Sequence, residues 1–358
     1  MSESISHATA NTLAAKKRVA YLDVLKFFGI LFIYAGHYTT NAGMLYKFVF
    51  EFHVPLFFFV SGCSETFNKE RNAAKNIWKK FLAIMLPFYL FALASVAVKV
   101  LVTGSTVKTV LGYLVTIARG CIRNTFIASS LWFLPCLFVI GVLAELAKKL
   151  RHRWLMILFS LAIYILNSSG AVRFPQEYNI NFAAHYQLFF MTGYVLFGEI
   201  DRLLMGGSKA ARVTKYVTGG LSFAYIVFLF FEHNVFRLLA EVPVVKWFVP
   251  YFTAMAAICA FLLISYLLKD VKLLASMGKE TLYYCGSEFM VKRTANRIVS
   301  IFIPVKINGS ISALACSITL LLAEHFLVVR LEAKVLTFLK NKINSLLVPK
   351  QKLKKQSN

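Results

Sequence analysis

Residues 21–38 read YLDVLKFFGILFIYAGHY, an apolar run of spanning length that carries three ionisable side chains, Asp23, Lys26 and His37. A helix on the surface of a soluble protein keeps a polar face, and this run has none. Apolar residues on every side of a helix suit a lipid solvent.

The rest of the chain has the same character. Of 358 residues 58% are apolar and 16% charged, with 34 phenylalanines, whereas soluble proteins run nearer half apolar and a quarter charged. That composition excludes an ordinary soluble globular domain. Apolar runs lie near 20–38, 45–62, 79–101, 127–147, 154–168, 182–199, 216–231, 247–268, 281–303 and 311–329. The expected fold is therefore an all-α, polytopic helical membrane protein with about ten transmembrane helices.

Placing the N-terminus in the cytoplasm puts more than twice as many lysines and arginines on the cytoplasmic side as on the other. The positive-inside rule then places both termini in the cytoplasm. Residues 1–19 form a cytoplasmic N-terminal segment, 20–330 the transmembrane domain, and 331–358 a basic cytoplasmic tail suited to anionic headgroups. Two stretches fit less well. Residues 101–126 are long for an exterior loop, and 290–306 carry Lys292, Arg293 and Arg297 beside an apolar run, so either is expected to be re-entrant or interfacial.

The net charge of +24 is spread between apolar runs rather than gathered on a polar fold, and does not point to nucleic acid as a partner. Six cysteines contain no CxxC pair, so they read as small hydrophobes rather than as a metal site. No apolar core with a small-residue cleavage site opens the chain, as a secretory signal would.

Ionisable groups within spans are costly and mark function by default. Lys26 and His37 stand eleven residues apart, which is about 1100° of rotation and about 16.5 Å of rise, so they share one face at different depths. Asp23 precedes Lys26 by three residues and is placed to pair with it. Position alone leaves Lys26 open to a snorkelling role and His37 to a structural one. In EFHVPLFFFVSG (51–62) His53 precedes Pro55, where a kink and a site role for His53 are both open. Glu145, His185, Glu199, Glu288 and Glu324 are embedded or near span ends, with no partner evident from the sequence.

These strings, in order, resemble the integral-membrane acyltransferase-3 family, bacterial proteins that O-acylate cell-surface glycans. The first span is similar to its N-terminal signature of Asp, a basic residue, then His. FHVPLFFFVSG resembles its second-span motif, KKFLAIMLPFYLF (79–91) its basic-then-proline third span, and SLWFLPCLF (130–138) its Leu-Trp-Phe-Leu motif. YQLFFMTGYVLFGE (186–199) and MGKETLYYCGSEF (277–289) are similar to later patterns. Three departures stand out. Lys26 replaces the usual Arg, Lys79 and Lys80 are adjacent where the family often spaces two arginines three apart, and Glu288 stands where a His is common.

The resemblance implies an O-acyltransferase, in the expected form an O-acetyltransferase, in a bacterial plasma membrane. Its donor substrate would be cytosolic acyl-CoA, with no bound cofactor and no metal. Its acceptor would be a sugar of a surface or lipid-linked polysaccharide, and its other partner the lipid bilayer. His37, Lys26 and Asp23 are the implied catalytic group. His53, Ser61, Lys79, Lys80, Trp132 and Glu288 are the implied substrate-binding group, with Lys26, Lys79 and Lys80 on the coenzyme phosphates. His37 could serve as a general base or be acylated transiently, and Glu288 could either hydrogen-bond structurally within the bundle or position a substrate or a basic group such as Arg293, five residues on. A transporter that exports a polysaccharide or acyl compound is the rival reading, and a catalytically inactive relative acting as a membrane partner is a third.

Overall fold

The computed structural model describes residues 19–123, 125, 130–231, 242–302 and 307–347. Most of the N-terminal segment, the start of the expected fourth span, the end of the 290–306 stretch and the end of the basic tail lie outside the described residues. Among the described residues the chain is helical, without a β-strand. The α-helices are α1 (Ala20–Gly36), α2 (Met44–Phe50), α3 (His53–Glu65), α4 (Ala73–Lys80), α5 (Leu86–Thr103), α6 (Val107–Ala118), α7 (Phe133–Lys148) and α8 (Arg153–Ser168). They continue with α9 (Ile180–Met205), α10 (Lys209–Phe231), α11 (Pro243–Leu267), α12 (Lys272–Lys279), α13 (Thr281–Phe302), α14 (Ser310–Glu324) and α15 (Arg330–Leu347). Among the described residues five stretches are long and apolar enough to cross a membrane: Met44–Glu65, Ala73–Leu101, Lys209–Phe231, Val245–Leu267 and Ser310–Leu339.

Helix α1 is the centre of the bundle, packing against α2, α3, α11, α12, α13 and α14. Its residues from Tyr21 to Leu25 and from Gly29 to Gly36 are buried, which accounts for the apolar character on all its sides. Close approach is built from glycine. A Cβ on Gly278 of α12 would lie 1.7 Å from the Asp23 carbonyl oxygen, so α12 rests directly on the α1 backbone. Helices α3 and α9 run parallel and touch backbone to backbone, where a Cβ on Gly62 would lie 1.9 Å from Phe190 O and one on Gly193 2.2 Å from Phe59 O.

Several expectations change in detail. The second span does not kink at Pro55; it breaks two to four residues earlier, between α2 and α3. Pro55 then falls in the first turn of α3, where backbone N–H groups have no helical partner and a missing donor costs nothing. The third span carries its irregularity before its proline, as a π-turn at Phe81–Met85. Pro87 cannot donate to the residue four back and its ring crowds that carbonyl, and the widened turn accommodates both. The 101–126 stretch, too long for a plain exterior loop, holds a short apolar helix, α6. The last apolar run does not end near 329 but continues through a second π-turn, His325–Val329, into α15.

The contact between α12 and α1 is sharp enough to test. Gly278→Ala forces the two helices apart and is expected to lower the thermal midpoint of the purified protein, overpacking typically costing ~1–3 kcal/mol. Gly112→Ala, where an added Cβ meets nothing within 4 Å, is expected to leave the midpoint unchanged or slightly raised. Thermal unfolding of both variants in one detergent checks the contrast.

Candidate active site

The C-terminal end of α1 brings together the groups most suited to chemistry. His37 follows the last helical residue of α1, and its Nδ1 hydrogen-bonds Glu288 Oε1 of α13. The other carboxylate oxygen, Oε2, accepts from Ser130 Oγ at 2.7 Å. Lys292, one helical turn beyond Glu288, lies 3.7 Å from Oε1. Its ammonium also donates to Tyr34 O at 2.8 Å and sits 4.0 Å over the Tyr38 ring. The Glu288 side chain is 1% exposed and the His37 ring 19%, so the imidazole is reachable while the carboxylate is sealed behind it.

This geometry fixes the histidine. A carboxylate partner favours the tautomer with its proton on Nδ1 and its lone pair on Nε2. Lys292 balances the carboxylate charge, so Glu288 can orient a neutral imidazole as well as stabilise an imidazolium. A histidine held this way can take a proton from a hydroxyl and later return it.

A second buried carboxylate lies beside the first. Glu324 of α14 accepts from Tyr34 Oη and Ser287 Oγ, each at 2.6 Å. Tyr284 Oη is 2.8 Å from His325 Nδ1 at the start of the second π-turn. Tyr34 thus joins the two carboxylates, its carbonyl accepting from Lys292 and its hydroxyl donating to Glu324.

The other sequence-nominated residues are distributed along the bundle. Lys26 pairs with Asp23 at 3.2 Å, three turns of α1 below His37. Asp23 is buried, and its Oδ2 has no hydrogen-bond partner. His53 is buried at the start of α3, bonded through Nδ1 to Val49 O at 2.6 Å and edge-on to Phe50. Ser61 returns its hydroxyl to Phe57 O at 2.7 Å within α3. Trp132 accepts at its carbonyl from Asn179 and lies two residues after Ser130.

Lys79 and Lys80 part company, since adjacent helical residues point about 100° apart. Lys79 is exposed and donates to Glu70 at 2.7 Å, and that hydrogen bond holds the Glu70 carboxyl down at about 2. Lys80 turns inward to Glu65 at 3.1 Å and Glu145 at 3.2 Å. Lys148 bridges the same two carboxylates at 2.6 and 2.9 Å, and Asn76 donates to Glu145 at 2.5 Å. Lys80 is therefore balanced within a cluster of two lysines and two glutamates.

Sequence reasoning missed Ser130, Lys292 and Tyr34. Arg293 was the expected basic partner of Glu288, but its guanidinium lies over the Phe289 ring. The spacing held the better answer, because residues four apart face each other on a helix and residues five apart do not.

A sequence-family model described as an acyltransferase domain matches residues 19–287, more than half of the chain. The match includes Asp23, Lys26, His37 and Ser130 and stops one residue before Glu288. No curated protein and no solved structure matches the chain.

The two third-span lysines should separate experimentally. Lys80→Met leaves two carboxylates sharing Lys148 and is expected to lower the thermal midpoint, breaking a buried ion pair costing ~3–5 kcal/mol at full burial and less in this partly open cluster. Lys79→Met removes an exposed pair, typically ~0–1 kcal/mol, and is expected to change little. Thermal unfolding in detergent provides the comparison.

Proposed function

This chain belongs to the acyltransferase-3 family and is a multi-pass membrane acyltransferase, and from that premise we propose that it moves an acyl group, in the simplest form acetyl, from cytosolic acyl-CoA to a hydroxyl of a surface or lipid-linked polysaccharide across a bacterial plasma membrane. The observation that carries the reading is the His37–Glu288 pair at the end of α1, backed by Ser130 and Lys292. In the proposed arrangement about ten spans cross the membrane and both termini are cytoplasmic. Lys26 then lies near the inner interface, where the coenzyme phosphates are, and His37 lies towards the outer one.

The chemistry follows from the tautomer. Nε2 of His37 takes the proton of the acceptor hydroxyl as the hydroxyl oxygen attacks the thioester carbonyl. The new C–O ester bond forms, the C–S bond breaks, and the coenzyme thiolate takes the proton back from Nε2. Glu288 holds the imidazolium through the step by the Nδ1–H bond, and Lys292 and Ser130 keep that carboxylate charged and in place. Lys26 binds the phosphates as a point charge, and Asp23 holds Lys26. A buried ionisable cluster is also what a transporter has, but a transport path has no need of an imidazole held with its lone pair on Nε2.

The test is acyl content of the surface glycan, normalised to protein in the membrane. His37→Ala is expected to abolish transfer at unchanged abundance, since a general base contributes ~10²–10⁴-fold in rate. Lys26→Arg should keep transfer, and Lys26→Ala should raise the donor concentration required. Full acylation by the His37→Ala protein would remove the catalytic assignment.

A further inference from the structure

The loops next to Ser130 hold a second constellation. Residues 119–123 follow α6, and Glu177–Asn179 form a 3₁₀ turn that leads into α9. Tyr178 and Asn179 have φ of 51° and 57°, a left-handed conformation that L side chains adopt uncommonly. Hydrogen bonds hold them in it. The Tyr178 N–H donates to Arg119 O at 2.9 Å and its hydroxyl to Ala118 O at 2.8 Å. Asn179 Nδ2 donates to Gly120 O and to Trp132 O, each at 3.1 Å. The turn therefore ties the 119–123 segment to the one that carries Ser130 and Trp132.

Arg123 lies on this platform with its guanidinium carbon 3.7 Å from the centre of the Phe182 ring and 4.7 Å from that of Trp132. Its neighbour Arg119 is paired with Glu177, and that hydrogen bond holds the Glu177 carboxyl below its ordinary value. Among the described residues no carboxylate pairs with Arg123. Aromatic stacking covers the faces of a guanidinium and leaves its N–H donors directed outward in the plane, where they fit the two oxygens of a carboxylate or phosphate. The Trp132 ring is itself buried, with the Tyr186 ring 6.3 Å away, so it supports the guanidinium from inside the bundle.

We propose that Arg123, backed by Trp132 and Phe182, is the subsite that recognises an anionic group on the acceptor glycan, a uronate carboxylate or a phosphate. The word acceptor rests on the acyl-transfer reading; the binding itself does not. Arg123 is then a specificity residue set beside the His37–Glu288 pair through the short link from Trp132 to Ser130. A glycan carrying oxyanions would be held by the fork, with a neighbouring hydroxyl offered to His37.

The experiment uses the full chain in lipid nanodiscs with no acyl donor present, so that it does not depend on catalysis. Calorimetric titrations compare an oligoglucuronate, its carboxyl-reduced neutral counterpart and a glycerol-phosphate glycan. One of the two anionic glycans is expected to bind about tenfold or more tighter than the neutral one, as a hydrogen-bonded charge warrants, and which one it is identifies the oxyanion. Arg123→Gln should erase the preference, and Arg123→Lys, a charge without a fork, should keep part of it. Equal affinities in the wild type, no binding of either anionic glycan, or a preference that survives Arg123→Gln would overturn the proposal. If the Gln variant does not accumulate, the wild-type comparison and the Lys variant decide. Loss of transfer in His37→Ala together with a retained preference for the anionic glycan would separate this subsite from the catalytic step.

Discussion

A carboxylate inside an apolar bundle must be met by donors from several directions, and Glu288 is met by donors that include His37, Ser130 and Lys292. His37 reaches it from the end of α1, Ser130 from the segment before α7, and Lys292 from α13 itself. Removing a partner from such a group leaves a buried charge uncompensated, a loss of ~3–5 kcal/mol in typical cases. The requirement therefore brings the end of α1, the middle of α13 and the segment that carries Ser130 together. Each of the three donors is a chemically useful group, so the same constraint that closes the bundle also assembles a proton-handling site.

The helical, lipid-suited class was legible in composition because 58% apolar residues leave too few polar ones to cover a soluble surface. The first span was legible in detail: Asp23 pairs with Lys26, and His37 stands on the same helix three turns away. What could not be read was which element meets which. Glu324 showed no partner because Tyr34 and Ser287, which bind it, are distant in sequence. The pairing of Lys80 with Glu65 and Glu145 was not legible, because those carboxylates lie on other helices. Pro55 suggested a kink because its position relative to a helix start depends on where the preceding helix stops, and that is set by packing of α2 on the end of α1.

The charged groups sort into two levels along the bundle. At one end, Lys80 and Lys148 alternate with Glu65 and Glu145, and Asp23 and Lys26 sit where Gly278 brings α12 onto α1. At the other, Ser130 links the His37–Glu288 pair to the segment that carries Trp132, over whose ring Arg123 lies and whose carbonyl Asn179 meets. Helix α1 connects the levels and is apolar over most of the distance between them. A donor with a charged head and a long neutral arm, and an acceptor approaching from the opposite side, would meet at the imidazole in such a frame.

The central claim is that His37 and Glu288 act as one unit. A double-mutant cycle on transfer rate, with His37→Ala, Glu288→Gln and the combined variant at matched membrane abundance, tests it most directly. Groups that work through one another are strongly non-additive. The account predicts that Glu288→Gln alone loses most of the rate and that the combined variant is no slower than His37→Ala. Losses that multiply, or a Glu288→Gln protein with full activity, would contradict it.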